Sequence, residues 1–224
     1  MQDINWNRIV TIKQAAELYG RREHCISLAI KSGKLIVDKD CKKYGHSWVI
    51  DRLRLDRLYG SAEEIRIHKE YMPYYKNKIF NSEQLKEIKR GIVDNLDVSL
   101  YARTEFNSEQ MWQIRKGLKE QLDVNVYANT KYNDKQMWQL RIGLRDKLDV
   151  TAYANEKFNW MCMAVIRRGL SDGLDVSVYA KSEFNSSQID QIRIGLMRGQ
   201  DVSLYAKDSI NAIKMEEMRK RIKG

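Results

Sequence analysis

Proline and glycine are scarce: there is one proline, Pro73, and 12 glycines in 224 residues. Folds made of many short strands need both at their turns, so an all-β sandwich or barrel is excluded and a mainly helical chain is expected. The three cysteines, Cys25, Cys41 and Cys162, are odd in number and lack metal-ligand spacing. A disulfide framework or zinc site is therefore not expected, and the thiols read as structural or incidental. No apolar run nears the ~20 residues that span a bilayer, and no basic-then-apolar leader opens the chain. The expectation is a cytoplasmic protein without membrane contact. Acid is in deficit, with 30 Asp+Glu against 40 Lys+Arg and a formal charge of +10. Residues 1–75 carry +4 of this and residues 76–224 carry +6. An acidic mimic of DNA is excluded. Long-range attraction favours an anionic partner, although surplus charge also serves solubility.

What the chain has instead is repetition. A large apolar residue followed by asparagine recurs every 26 residues, at Phe80-Asn81, Phe106-Asn107, Tyr132-Asn133, Phe158-Asn159, Phe184-Asn185 and Ile210-Asn211. A period held without insertion means that each block meets its neighbours in one geometry, as in solenoid arrays, which commonly present binding surfaces. Within a block, Met111, Ile114, Leu118 and Leu122 fall at helical spacing and predict an amphipathic helix of about four turns. Asn107-Ser108-Glu109-Gln110 carries the signal that starts it. The recurring Leu-Asp-Val places Asp97, Asp123, Asp149, Asp175 and Asp201 as caps of a second, short helix bearing Tyr101, Tyr127, Tyr153, Tyr179 and Tyr205. Glycine at 91, 117, 143, 169 and 195 costs the long helix roughly 0.5–1 kcal/mol each. Close approach of a neighbouring backbone is the simplest compensation. Arg221 replaces that glycine in the sixth block, which reads as a more polar terminal cap.

Two further columns bear on function. Lys89, Arg115, Arg141, Arg167, Arg193 and Arg219 recur on the edge of the buried stripe. They read as a structural ladder whose guanidinium groups pair with the repeated aspartate of an adjacent unit; a ladder for phosphates is the alternative. Trp112 and Trp138 occupy a column where other blocks have Lys86, Ala164, Asp190 and Glu216. Packing has not dictated them. With Lys116, Lys119, Arg145 and Trp160 they form the expected partner-binding patch, filling of the groove between blocks being the other reading.

Residues 9–59 follow a different grammar. Thr11 to Gly20 reads as a capped helix, and a second helix with Ile26, Ala29 and Ile30 inward stops at Ser32-Gly33. Lys34–Val37 and Ser47–Ile50 read as two strands around a polar tip holding Lys39, Lys42, Lys43 and Gly45, and Asp51 caps a third helix. Residues 60–79 are a connector or degenerate half-repeat, because Tyr75 stands 26 before Tyr101.

Thr11, Ile12, Ala15, Ala16, Gly20, Ile30, Gly33, Leu35, Trp48 and Ile50 give this stretch its likeness. It resembles the winged helix-turn-helix of the excisionase and MerR-like families. That resemblance implies a second helix in the major groove and a wing on backbone phosphate, with duplex DNA as partner. Carried over by position, Arg21, Arg22, Glu23, His24, Ser27, Leu28 and Lys31 would face the groove, with Lys42, Lys43 and His46 on or near the wing. Ser27-Leu28 depart from the basic residues common there, a departure that suits a protein-docking surface. His24 and His46 otherwise read as surface polar groups, not metal ligands. The array, for its part, resembles 26-residue Phe-x-x-x-Gln-Met-x-x-Ile-Arg-x-Gly-Leu-x-x-x-Leu-Asp-Val-x-x-Tyr-Ala repeats of largely uncharacterised proteins in gut Firmicutes and their mobile elements. This implies a phage or mobile-element source.

The expected fold class is mainly α: a small winged helix-turn-helix domain over residues 1–59, a connector over 60–79, and six long-helix/short-helix repeats over 80–224. The expected function is a DNA-binding regulator or recruitment protein whose array binds a partner protein. The alternatives are an anti-defence inhibitor or adaptor acting by protein binding, and RNA or single-strand binding along the array, which requires an exposed arginine column. No nucleophile stands beside a base and no glycine-rich phosphate loop occurs, so no catalytic residue, metal or cofactor is expected.

Overall fold

At Thr11 a short strand turns directly into a helix. The Thr11 hydroxyl accepts the Gln14 amide N–H while the Gln14 side chain accepts that of Thr11, so two otherwise unpaired donors are satisfied at the first turn. The structure is a computed structural model describing residues 6–222; the expected outer bounds at residues 1 and 224 lie outside them. It is mainly helical with one small three-stranded antiparallel sheet, and it divides into two compact units between Lys78 and Ile79.

The first unit runs β1 (Ile9–Thr11), α1 (Ile12–Leu18), α2 (Glu23–Lys31), β2 (Cys41–Tyr44), β3 (Ser47–Asp51), α3 (Arg52–Tyr59) and α4 (Ala62–Lys76). The strand order is β1-β3-β2, with Val10 opposite Ile50 and Lys43 opposite Trp48. Ala15, Ala16 and Tyr19 of the α1 region, Ile26, Ala29 and Ile30 of α2, and Leu35, Cys41, Ile50 and Leu55 form its core. Asp51 caps α3 by accepting the Leu53 amide, as the sequence predicts.

Two readings of this unit are corrected. Lys34–Val37 is not a strand of the sheet. Leu35 is drawn into the core, Asp38 sits at φ 65°, and the buried Asp40 carboxylate accepts the Ile36 N–H at 2.9 Å, so the chain turns, leaving Val37 in an isolated bridge to Cys41, and joins the sheet as a strand only from Cys41 onward. The partner strand is therefore shifted towards the tip, where Gly45-His46 closes a two-residue hairpin with Gly45 at φ 57°. Nor is 60–79 a half-repeat. Ser61 and Glu64 form a reciprocal cap that starts α4, the helix continues past Pro73, and Tyr75 lies on it 55% exposed, whereas Tyr101 is buried.

The second unit holds six helices in register: α5 (Ser82–Val93), α6 (Ser108–Lys119), α7 (Asp134–Arg145), α8 (Trp160–Ser171), α9 (Ser186–Met197) and α10 (Ala212–Arg221). Each packs on the next. They are nearer three turns than four, because the last apolar step, such as Leu122, lies beyond the helix end. Every one is capped by the repeated asparagine. In α5, α6, α7 and α9 a glutamine closes the reciprocal cap and spends its amide on the next block: Gln84 donates to Phe106 O, Gln110 to Tyr132 O and Gln136 to Phe158 O, all at 2.7 Å. Asp97, Asp123, Asp149 and Asp175 cap short 3₁₀ turns that fold back on the long helix of their own block.

The glycine column is explained by that return, not by a neighbouring backbone. A Cβ at Gly117 would stand 1.9 Å from the Tyr127 hydroxyl and 2.9 Å from Val124 Cγ1, and the same tyrosine-over-glycine contact recurs at 91, 143, 169 and 195. The arginine ladder is also corrected in its partner. Arg141 Nη1 pairs with Glu120 at 2.8 Å, Arg193 with Asp172 at 3.1 Å and Arg115 with Asp94 at 3.3 Å. These acids stand at or just after the C-terminal end of the preceding helix, where they face the arginine; the Leu-Asp-Val aspartates are occupied as caps. The Nε of Arg115, Arg141, Arg167 and Arg219 bonds to Glu87, Gln113, Gln139 and Gln191 of the block before.

Candidate functional site

In α2 the inward residues Ile26, Ala29 and Ile30 leave His24, Ser27, Leu28 and Lys31 on the opposite side. His24, Leu28 and Lys31 are exposed, Ser27 is half-buried, and Leu28 is 48% exposed. Arg22 is exposed at the N-cap. Arg21 departs from the expected set: its guanidinium lies 5.3 Å from the Tyr59 ring centre. There it lines a recess of about 570 Å³ with Tyr19, Ile65 and His68. Burial pushes the Tyr59 hydroxyl up, and the adjacent Arg21 charge opposes that shift.

The hairpin separates the two lysines that the sequence reading treats alike. Successive strand residues point to opposite faces, so Lys42 goes with Tyr44, whose ring centre is 5.9 Å from Lys42 Nζ, while Lys43 goes with the buried Cys41. His46 is exposed in the turn. Among the described residues, Arg22, Lys31, Lys42 and Lys43 have no carboxylate within ion-pairing distance. Three other cations of the unit do: Arg8 pairs with Asp51 and Arg54 with Asp40, each at 3.1 Å, and Arg66 with Glu63 and Glu70, whereas Lys13, Lys34, Lys39, Arg52, Arg57 and Lys69 are likewise without a carboxylate at that distance.

In the second unit the three tryptophans meet. Trp112, Trp138 and Trp160 line one recess of about 400 Å³ together with Gln113, Asp134 and Lys135. A second recess of about 340 Å³ shares Trp112, Gln113 and Asp134 with it and adds Glu83, Glu87, Ser108 and Glu109. Lys135 Nζ lies 5.4 Å from the Trp160 ring centre, and Lys116 Nζ and Arg141 Cζ each lie 5.7 Å from that of Trp112. Of the expected patch, Lys119 and Arg145 are elsewhere, held by Asp94 and Asp146 at 3.0 Å. Asp134 and Lys135 were missed, although their columns vary among blocks as openly as the tryptophan column does: Ser82, Ser108, Asp134, Trp160, Ser186 and Ala212 occupy the first.

The arginine column does not offer a phosphate ladder, because Arg115, Arg141 and Arg219 are buried. Cys41 and Cys162 are buried and Cys25 is exposed, all three as free thiols; burial, with Asp40 and Asp38 nearby, pushes the Cys41 thiol up to about 11. Among the described residues no group of three or more His, Cys, Asp and Glu side chains is placed to hold a metal ion, and no helix is long and apolar enough to cross a membrane. No family model matches this chain, and comparison with curated proteins and with solved structures found no significant match.

Proposed function

We propose that this protein is a DNA-binding regulator or recruitment factor acting in the cytoplasm of a bacterial cell. Its first unit would be a winged helix-turn-helix and its second a solenoid-like array that binds a partner protein. The observation that carries the reading is that Arg22, Lys31, Lys42 and Lys43, on α2 with its N-cap and the β2–β3 hairpin, are exposed and have no carboxylate partner among the described residues. Cations without a carboxylate partner can neutralise phosphates and displace the counterions condensed on duplex DNA, and that release supplies a large share of the affinity. In this reading α2 lies in the major groove, Arg22 bonds base edges, and Lys31 and Lys42 neutralise phosphate. Lys43, on the opposite strand face from Lys42, contributes less.

The test is binding of the full chain to a random duplex across a salt series. Affinity should fall steeply as salt rises, and Lys42→Ala should weaken binding several-fold and lower the salt slope by about one, with Lys43→Ala doing less. Absence of duplex binding at physiological salt would overturn the proposal. The exposed Leu28 favours one second reading, in which α2 docks on a protein and the molecule is a phage or mobile-element adaptor or inhibitor. In that reading Leu28→Asp abolishes partner binding and duplex affinity is absent from the start.

A further inference from the structure

We infer that the tryptophan groove of the array receives a basic side chain, arginine or lysine, carried on a segment of a partner protein. The inference rests on the array being a protein-binding module, and not on DNA contact by the first unit.

The helices stack without these tryptophans. At the column of Trp112 and Trp138 the other blocks carry Lys86, Ala164, Asp190 and Glu216, and at that of Trp160 they carry Ser82, Ser108, Asp134, Ser186 and Ala212, yet all six helices are capped by asparagine and each packs on the next. Three indoles are therefore gathered from three successive blocks for a purpose other than stacking, and Trp138 stays 40% exposed. Asp134 lines this recess and the adjoining one, and Glu109 lines the adjoining one with Trp112. Neither carboxylate has a cationic partner among the described residues, whereas Glu83 is held by Lys86 at 2.7 Å and Glu87 by Arg115 at 2.8 Å. In a chain of formal charge +10, two adjoining recesses that share Trp112 and hold two unspent carboxylates against one lysine, Lys135, are complementary to a cation. The chain's own side chains already use the aromatic walls this way: Lys135 stands over Trp160, and Lys116 and Arg141 over Trp112. Trp138 is the wall with no cation over it among the described residues. A nucleic acid stacking on these indoles would bring its phosphates against Glu109 and Asp134, which disfavours that occupant.

A random dodecapeptide display library selected on the full-length protein tests this directly. Enriched peptides should carry arginine or lysine, and synthetic copies should lose at least tenfold in affinity to Trp138→Ala and to the Glu109→Gln/Asp134→Asn pair, with unchanged thermal melting. The carboxylate-to-amide pair keeps shape and polarity, so it decides the matter even if the tryptophan variant fails to fold. Failure to enrich peptides, enrichment without a basic residue, affinity indifferent to the amide pair, or quenching of the tryptophans by oligouridine in preference to basic peptide would each overturn the inference. Duplex binding is measured separately, so a chain that binds no DNA can still meet this test.

Discussion

An added methyl group at Gly117 would meet the Tyr127 hydroxyl at 1.9 Å, a separation at which the buried tyrosine has to shift. That hydroxyl donates to Gln113 O at 3.2 Å, so the glycine, the tyrosine and a helix carbonyl form one contact repeated along the array. Gly117→Ala should therefore cost about 1–3 kcal/mol, as overpacking of a tight core does, despite alanine's better helix propensity. Urea unfolding checks it, and Tyr127→Phe in the same chain should recover part of the loss by removing the atom nearest the new Cβ. The contact is not uniform. The hydroxyls of Tyr179 and Tyr205 are buried without a hydrogen-bond partner, while those of Tyr101, Tyr127 and Tyr153 donate to the helix above them. The glycine column is plain in the sequence. What fills the space is not, because the tyrosine lies ten residues on and reaches the glycine only once the turn has closed.

The long helices begin where Asn-x-x-Gln predicts, since a cap is a local bond within four residues. Their ends were harder to read. The residue two past the last helical one must adopt a left-handed backbone, and that position holds Asn95, Gln121 and Lys147 before it becomes Gly173 and Gly199. With glycine at only two of five, the expected stop signal is mostly missing. The short turns depend on their aspartates. The Thr151, Ser177 and Ser203 side chains, and then their amides, hold the carboxyls of Asp149, Asp175 and Asp201 below the usual carboxylate range. A pKa lowered by folding gives stability that is complete above the unfolded value, about 4, and is lost as pH falls through the folded value. The urea midpoint of the array should thus hold steady above about pH 5 and fall below about pH 4, and changing all three aspartates to asparagine should flatten that fall while leaving a capping oxygen in place.

At the scale of the molecule the chain divides into two compact units between Lys78 and Ile79, just before the 26-residue period sets in at Phe80. The first unit has its own core around Tyr19, Ile26, Cys41 and Ile50, and the second has one that runs through every block as buried Ile, Met, Phe and Tyr. Differential scanning calorimetry of the full chain should therefore resolve two transitions, with Ile26→Ala shifting one of them and Ile114→Ala the other. A single transition moved by both changes would show that the units unfold together.

The amino-acid sequence by itself determined the helical class, the six-block register, the asparagine and aspartate caps and the inward face of α2, because each rests on bonds or periodicities within a few residues. The tertiary structure alone decided the rest. It shifted the first hairpin strand to Cys41–Tyr44 because Leu35 and Asp40 are pulled inward. It turned Arg21 onto Tyr59 and gave the arginine ladder to the acids at the ends of the preceding helices. It also brought Asp134 and Lys135 beside three tryptophans, spread over 48 residues of chain from Trp112 to Trp160, that become neighbours only when helices stack. Charge pairs and recesses between blocks depend on which side chains face one another across a helix interface, and that is set by packing angle and rotamer, which no local pattern in the sequence encodes.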